Sequence, residues 1–162
     1  MMTGSRFCGL LADAGYDFFS GVPDSTFGAA FACLEADRAR YLPAPREDLA
    51  VGAGVGAWLG GRRPAVLMQN SGFGTSLNAI LSLAVLYQVP MLLIVGWRGH
   101  GPDAPEHVQT GRTMLDVLRA LELPFVAAEP ETVEADVARA AAEPAARRSP
   151  VVLLLREGMV KG

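Results

Sequence analysis

The chain is poor in the residues that build metal clusters and disulfide frameworks. Its 162 residues include two cysteines and two histidines. Cys8 and Cys33 are far apart along the sequence and have no His or Cys beside them, which argues against a zinc site and a disulfide scaffold. Excess positive charge is also lacking. Fourteen Lys and Arg face 17 Asp and Glu, a net charge of −3, so nothing suggests a nucleic-acid groove or a basic membrane patch. The longest apolar stretch, residues 73–97, is interrupted by Asn78, Gln88 and Pro90 and does not read as a membrane span. No basic-then-apolar leader pattern opens the chain, and there is no internal repeat, low-complexity run or linker. These absences predict one domain over residues 1–162 in a reducing, cytoplasmic setting.

What is present is a large apolar fraction. Hydrophobic residues make up 51% and charged residues 19%, and the mean hydropathy is +0.26, enough to build a buried core and incompatible with disorder. Two periodicities alternate. Apolar runs predict strands at 16–22, 40–42, 64–69, 90–96, 125–127 and 150–155. Between them, spacing predicts helices. The first carries Phe7, Leu10, Leu11 and Ala14 and ends at Gly15; the second is capped by Ser25 and carries Phe27, Ala30, Phe31 and Leu34. Others run over 48–59 and 75–87, after a loop at 98–109, and from Pro130, with 129–148 read as a solvated helix and loop. Run 90–96 is apolar on both faces, as in a parallel sheet covered on both sides. The expectation is an α/β fold: a doubly wound, mostly parallel six-stranded sheet with helices on both faces. Such sheets bind ligands beyond the carboxyl ends of their strands.

Several residues fall at that edge. Asn70-Ser71-Gly72-Phe73-Gly74 follows a buried strand; its glycines allow close backbone approach, though a plain turn has the same look. It is neither a Walker loop nor a GxGxxG fingerprint. Glu47 opens a helix, where a carboxylate ordinarily complements the helix dipole. The same helix holds Gly52, Gly54 and Gly56. Three helical glycines cost about 3 kcal/mol relative to alanine, which predicts tight packing against a neighbour, including one from another chain, with Glu47 at a buried junction. Arg98, after the strongest strand, either holds an anion with its planar fork or sits in an ion pair. His107 is a candidate acid or base by its sheet-edge position, ahead of His100. Asp24 and Ser25 read first as helix caps.

Taken in order, Gly21-Val22-Pro23-Asp24-Ser25, Arg46-Glu47, Ala57-Trp58-Leu59-Gly60-Gly61, Met68-Gln69-Asn70-Ser71-Gly72-Phe73-Gly74, Gly96-Trp97-Arg98-Gly99 and Asp103-Ala104-Pro105-Glu106-His107 form a recognisable series. The chain resembles the pyrimidine-binding (PYR) domain of thiamine-diphosphate decarboxylases that act on 3-sulfopyruvate or 3-phosphonopyruvate, over about residues 7–155. The resemblance implies that Glu47 hydrogen-bonds N1′ of the cofactor's aminopyrimidine and promotes its imino tautomer. It places Asn70, Ser71 and Gly72 near the reacting centre, His107 on a proton-relay segment, and Asp24 and Ser25 against the substrate. Arg98 for the substrate's distal anion is an assignment from chemistry, not from the family. Arg46 and Thr75 depart from the residues usual in such relatives.

Half of the expected machinery is missing from this sequence. Enzymes of this kind hold the diphosphate through magnesium on a Gly-Asp-Gly segment, and no Gly-Asp-Gly occurs here. No carboxylate cluster offers a magnesium site either. The resemblance therefore implies an α subunit of a hetero-oligomer, with the diphosphate-binding (PP) domain and Mg2+ on a separate β chain. The leading expectation is decarboxylation of 3-sulfopyruvate to sulfoacetaldehyde and CO2. Alternatives are phosphonopyruvate decarboxylation, a carboligating thiamine enzyme subunit, and a partner-binding domain without turnover.

Overall fold

A computed structural model describes all 162 residues. The chain opens with β1 (Met2–Thr3), α1 (Gly4–Asp13) and β2 (Phe18–Gly21), then passes a 3-10 turn, Ser25–Phe27, into α2 (Gly28–Glu35). It continues through β3 (Tyr41–Pro43), α3 (Glu47–Leu59), β4 (Pro64–Gln69), α4 (Asn70–Thr75), α5 (Leu77–Ala79) and a π-helical stretch, Ile80–Val85. The second half comprises β5 (Leu92–Gly96), α6 (Pro105–Ala120), β6 (Phe125–Ala127), α7 (Val133–Arg147), β7 (Val151–Leu155) and β8 (Val160–Lys161).

Six strands form one sheet in the order β3-β2-β4-β5-β7-β6, and every neighbouring pair is parallel. The doubly wound expectation holds. Central strands β5 and β7 are buried along their whole length, and their side chains divide between two cores by strand alternation. Leu92, Ile94, Leu153 and Leu155 face α1, α2 and α7 through Phe7, Leu11, Phe31 and Val137. Leu93, Val95, Val152 and Leu154 face α3 and α6 through Val51, Val55, Met114 and Leu118. The edge at the amino ends of the strands is tied by arginine. Arg63 donates to the carbonyls of Ala14 and Ala141 and lies over the Tyr16 ring.

Five expectations change. Asp24, not Ser25, caps the turn before α2: its side chain accepts from the Thr26 amide. The helix expected over 75–87 starts earlier, at Asn70, and is not one rod. Ser76 Oγ donates back to the Phe73 carbonyl at 3.1 Å and Thr75 Oγ1 to Ser71 O at 3.3 Å, so the ladder resets there. α6 begins at Pro105, whose missing N–H costs nothing at the first helical position; His107 is therefore in the first turn of a helix and not on a loop. α7 begins at Val133, because residues 130–132 form a turn closed by Thr132 N–H to Glu129 O at 3.2 Å. It is not merely solvated: Val133, Val137, Ala140 and Ala141 are buried. Finally, Cys8 and Cys33 meet across α1 and α2. Both are free thiols, and burial, reinforced by a hydrogen bond with Cys33, pushes the Cys8 thiol well up. The short parallel pair β1–β8 has no counterpart in the sequence reading.

Candidate active site

The carboxyl ends of β2, β4 and β5 carry the residues singled out above. β4 delivers the chain into α4 at Asn70, with Gln69 still extended. The turn places Gly72 directly against Glu47 at the start of α3. A Cβ on Gly72 would overlap the Glu47 side chain, so a larger residue there would force Glu47 out of this position. Glu47 is half-buried, lies in the first turn of α3 beside Asp48, and makes no hydrogen bond or ion pair in this chain. Arg46 beside it is turned away and pairs with Asp48 at 2.7 Å.

The glycines of α3 serve two purposes. Gly54 faces the sheet, where a Cβ would lie 2.7 Å from Met91 Cε and 3.1 Å from Val66 Cγ2. That close packing is within the chain. Gly52 and Gly56 face open space, with nothing within 4 Å of a Cβ, beside the exposed Leu49 and Leu59.

Asn70 is 3% exposed. Its Nδ2 donates to the Arg98 carbonyl at 2.9 Å, while its Oδ1 is buried without a partner. Ser71 is exposed and accepts from Gln69 Nε2 at 2.6 Å. Asn70 thus joins the end of β4 to the segment that follows β5.

Arg98 is engaged on several sides. Its Nε and Nη2 donate to Asp103 Oδ2 and Oδ1 at 2.7 and 2.6 Å, and its Nη1 donates to Ser25 Oγ at 3.1 Å. Asp103 also accepts from the amides of Gly99 at 2.9 Å and Ala104 at 2.8 Å. Arg98, with help from those amides, holds the Asp103 carboxyl far below the ordinary carboxylate range. Asp103 in turn makes Arg98 harder to deprotonate, and the nearby carboxylates of Glu157 and Asp24 act in the same sense. The Asp24–Thr26 turn closes over Gly96: a Cβ there would lie 3.0 Å from Asp24 Oδ2 and from Thr26 Oγ1, atoms that are buried without partners.

His107 contributes backbone contacts. Gly99 has φ +73, and a Cβ on it would overlap the His107 carbonyl; Gly111 lies against the Gly99 backbone in the same way. Trp97 Nε1 donates to Gly111 O at 2.9 Å. The His107 ring is partly exposed and makes no hydrogen bond.

The structure therefore gathers two clusters, Glu47 with Gly72 and Arg98 with Ser25, Asp24 and Asp103, bridged by Asn70. Asp103, which opens the Asp103-Ala104-Pro105-Glu106-His107 segment, carries no role in the sequence; its pairing with Arg98 is visible only in the folded loop.

Comparison with known proteins agrees with the fold. The family described as thiamine pyrophosphate enzyme, N-terminal TPP binding domain, matches residues 1–118. A sulfopyruvate decarboxylase subunit alpha from Methanothermobacter thermautotrophicus is 40% identical over 117 residues, 71% of this chain and 71% of the relative. A phosphonopyruvate decarboxylase from Streptomyces viridochromogenes is 34% identical over 155 residues, 93% of this chain but 39% of the relative. Among solved structures, benzoylformate decarboxylase from Polynucleobacter necessarius shares the fold, with a TM-score of 0.71 at 20% identity over 100% of this chain and 31% of that one. Both the sheet-edge geometry and these matches lead to one statement: the chain belongs to the thiamine pyrophosphate enzymes, as their N-terminal TPP-binding domain.

Proposed function

We propose that this chain is the α subunit of a thiamine-diphosphate-dependent decarboxylase that converts 3-sulfopyruvate to sulfoacetaldehyde and CO2. One observation carries the reading: Glu47, the residue that resembles the family's pyrimidine-contacting glutamate, sits against a glycine cradle with both carboxylate oxygens unspent. Relatives named as sulfopyruvate decarboxylase α subunits support the substrate.

The residues present fit the pyrimidine half of the cofactor. Glu47 is available to hold a proton at N1′, and the missing side chain at Gly72 leaves room for the Glu47 carboxyl itself to lie against the start of α4. When bound, thiamine diphosphate supplies an electron sink for the pair released as CO2 leaves. Asn70 fixes the backbone around this seat through Arg98 O. Ser71, beside the seat, contributes an exposed hydroxyl at the cofactor edge. Ser25 and Arg98 hold the substrate's anionic end, and Asp24 shapes their turn. His107 offers a ring free of intrachain partners for proton exchange with the product.

The residues do not fit the other half. No Gly-Asp-Gly occurs, and no group of three His, Cys, Asp or Glu side chains converges on one point. In this reading a β subunit with a PP domain brings Mg2+ and the diphosphate site. Gly52, Gly56, Leu49 and Leu59 form an unpartnered stripe on the face of α3 turned away from the sheet, suited to such a contact. Phosphonopyruvate is the second reading, favoured by the match over 93% of the chain to a decarboxylase of that substrate.

The test is co-expression with a chain bearing a Gly-Asp-Gly domain, followed by CO2 release from 3-sulfopyruvate with thiamine diphosphate and magnesium. Sulfoacetaldehyde in stoichiometric amount is expected. A stable complex that releases no CO2 overturns the reading.

A further inference from the structure

The seat built around Arg98 carries more information than the presence of a cation. A guanidinium has three sides for hydrogen bonding, and one is fully used by Asp103 at 2.6 and 2.7 Å. Asp103 is not poised to yield that side to a ligand. It is held by four donors, two from Arg98 and the amides of Gly99 and Ala104, and only 14% of its side chain is exposed. What Arg98 has left is the side around Nη1, which faces Ser25 Oγ at 3.1 Å. Ser25 accepts there, so its own O–H is free to donate outward.

Charge follows the same pattern. Against the single positive charge of Arg98 stand Asp103 and Asp24, with Asp24 Oδ2 buried and unpartnered. The local sum is one net negative before Glu157 is counted. Arg98 and Asp103 line a cleft of about 190 Å3 together with His100, Arg156 and Glu157, and Arg156 is taken up by Glu129. An unpaired arginine favours the more highly charged of two ligands. An arginine already neutralised offers directed hydrogen bonds without surplus positive charge.

We propose that Asp103 is a specificity-determining residue: by occupying one side of Arg98 and cancelling its charge, it tunes the Arg98–Ser25 seat to a singly charged sulfonate and against a doubly charged phosphonate. The inference rests on the substrate class proposed above. A sulfonate carries one negative charge throughout the neutral range. A phosphonate takes up its second charge near neutral pH, as phosphate monoesters do at about pH 6. One additional unit of like charge at contact distance changes relative binding by roughly tenfold.

The experiment compares kcat/KM for 3-sulfopyruvate and 3-phosphonopyruvate in the complex with the PP-domain partner, between about pH 6 and pH 8. For the wild type, the phosphonopyruvate-to-sulfopyruvate ratio should fall as pH rises, by about tenfold. In Asp103→Asn the fall should flatten and the ratio at the upper pH should rise by a similar factor. A group that acts equally on both substrates cancels in the ratio. A ratio independent of pH in the wild type, or the same slope in Asp103→Asn, overturns the proposal while leaving the decarboxylase reading intact. Turnover of neither substrate removes that reading, and the proposal with it. Asp103 also holds two loop amides; Asp103→Ser, whose hydroxyl still accepts a hydrogen bond but carries no charge, is the second variant, and an unchanged slope there overturns the proposal as well.

Discussion

Glu47 and Arg98 are both charged side chains at the carboxyl edge of one sheet, and they are built in opposite ways. Glu47 rests against Gly72 with no polar partner in the chain. Arg98 is held on most sides, by a bidentate carboxylate, a hydroxyl, and a backbone carbonyl gripped by Asn70, and keeps only the remaining N–H groups of Nη1 and Nη2 for a ligand. The first arrangement is complete only when something docks on it. The second is finished within the chain and presents a fixed shape to whatever arrives. Catalytic groups and recognition groups have these different needs, since a proton donor must keep free capacity while an anchor must not move.

The sharpest way to break this contrast is at Glu47. Glu47→Gln keeps the volume and removes the exchangeable carboxyl proton. Turnover by the reconstituted complex should drop by about 10²- to 10⁴-fold, with subunit association unchanged by gel filtration. Full activity would show that the bare carboxylate is structural. At the other cluster the corresponding blow is to the backbone. Gly99→Val forces a β-branched residue into φ +73 and into the His107 carbonyl, and should cost about 3 kcal/mol or more of unfolding free energy in urea titration. A shift in activity with unchanged stability would contradict the rigid seat.

Two milder changes sharpen the comparison. Arg98→Ala should raise KM for 3-sulfopyruvate by about tenfold or more and leave KM for pyruvate nearly unchanged; equal effects on both would remove Arg98 from the substrate. The Arg98–Asp103 pair also has a pH signature. Because the folded Asp103 carboxyl is depressed by Arg98, its stabilisation is fully present above the ordinary carboxylate range and is lost only as pH falls through the depressed value. The stability difference between wild type and Asp103→Asn should therefore persist at about pH 4 and shrink in stronger acid. A difference that vanishes by that pH would mean the pair is weaker than its geometry.

Much of this architecture was legible in the residues. Strands β4 and β6 begin and end where their apolar runs do, because an apolar run that starts at or just after a proline has a sharp local boundary. Strand alternation and the parallel arrangement followed from the same runs. What escaped detection lacks a local signal. β1 and β8 are two residues each, too short for any period. The π-helical stretch Ile80–Val85 keeps an apolar pattern that also suits an α-helix. The first turn of α6 hid behind a Gly- and Pro-rich loop, although Pro105 marked it. At the site, Glu47 and Asn70 stood out by their neighbours. Asp103 did not, since its meaning depends on a left-handed Gly99 that folds the loop back onto Arg98.

Gly99 and Gly111 touch backbone to backbone. Such a joint has no side chain to absorb a displacement, and dense interiors pass strain on. The pitch of α6 thus acts as an adjusting screw for the guanidinium: tilt the helix, and the anchor moves with it, without slack.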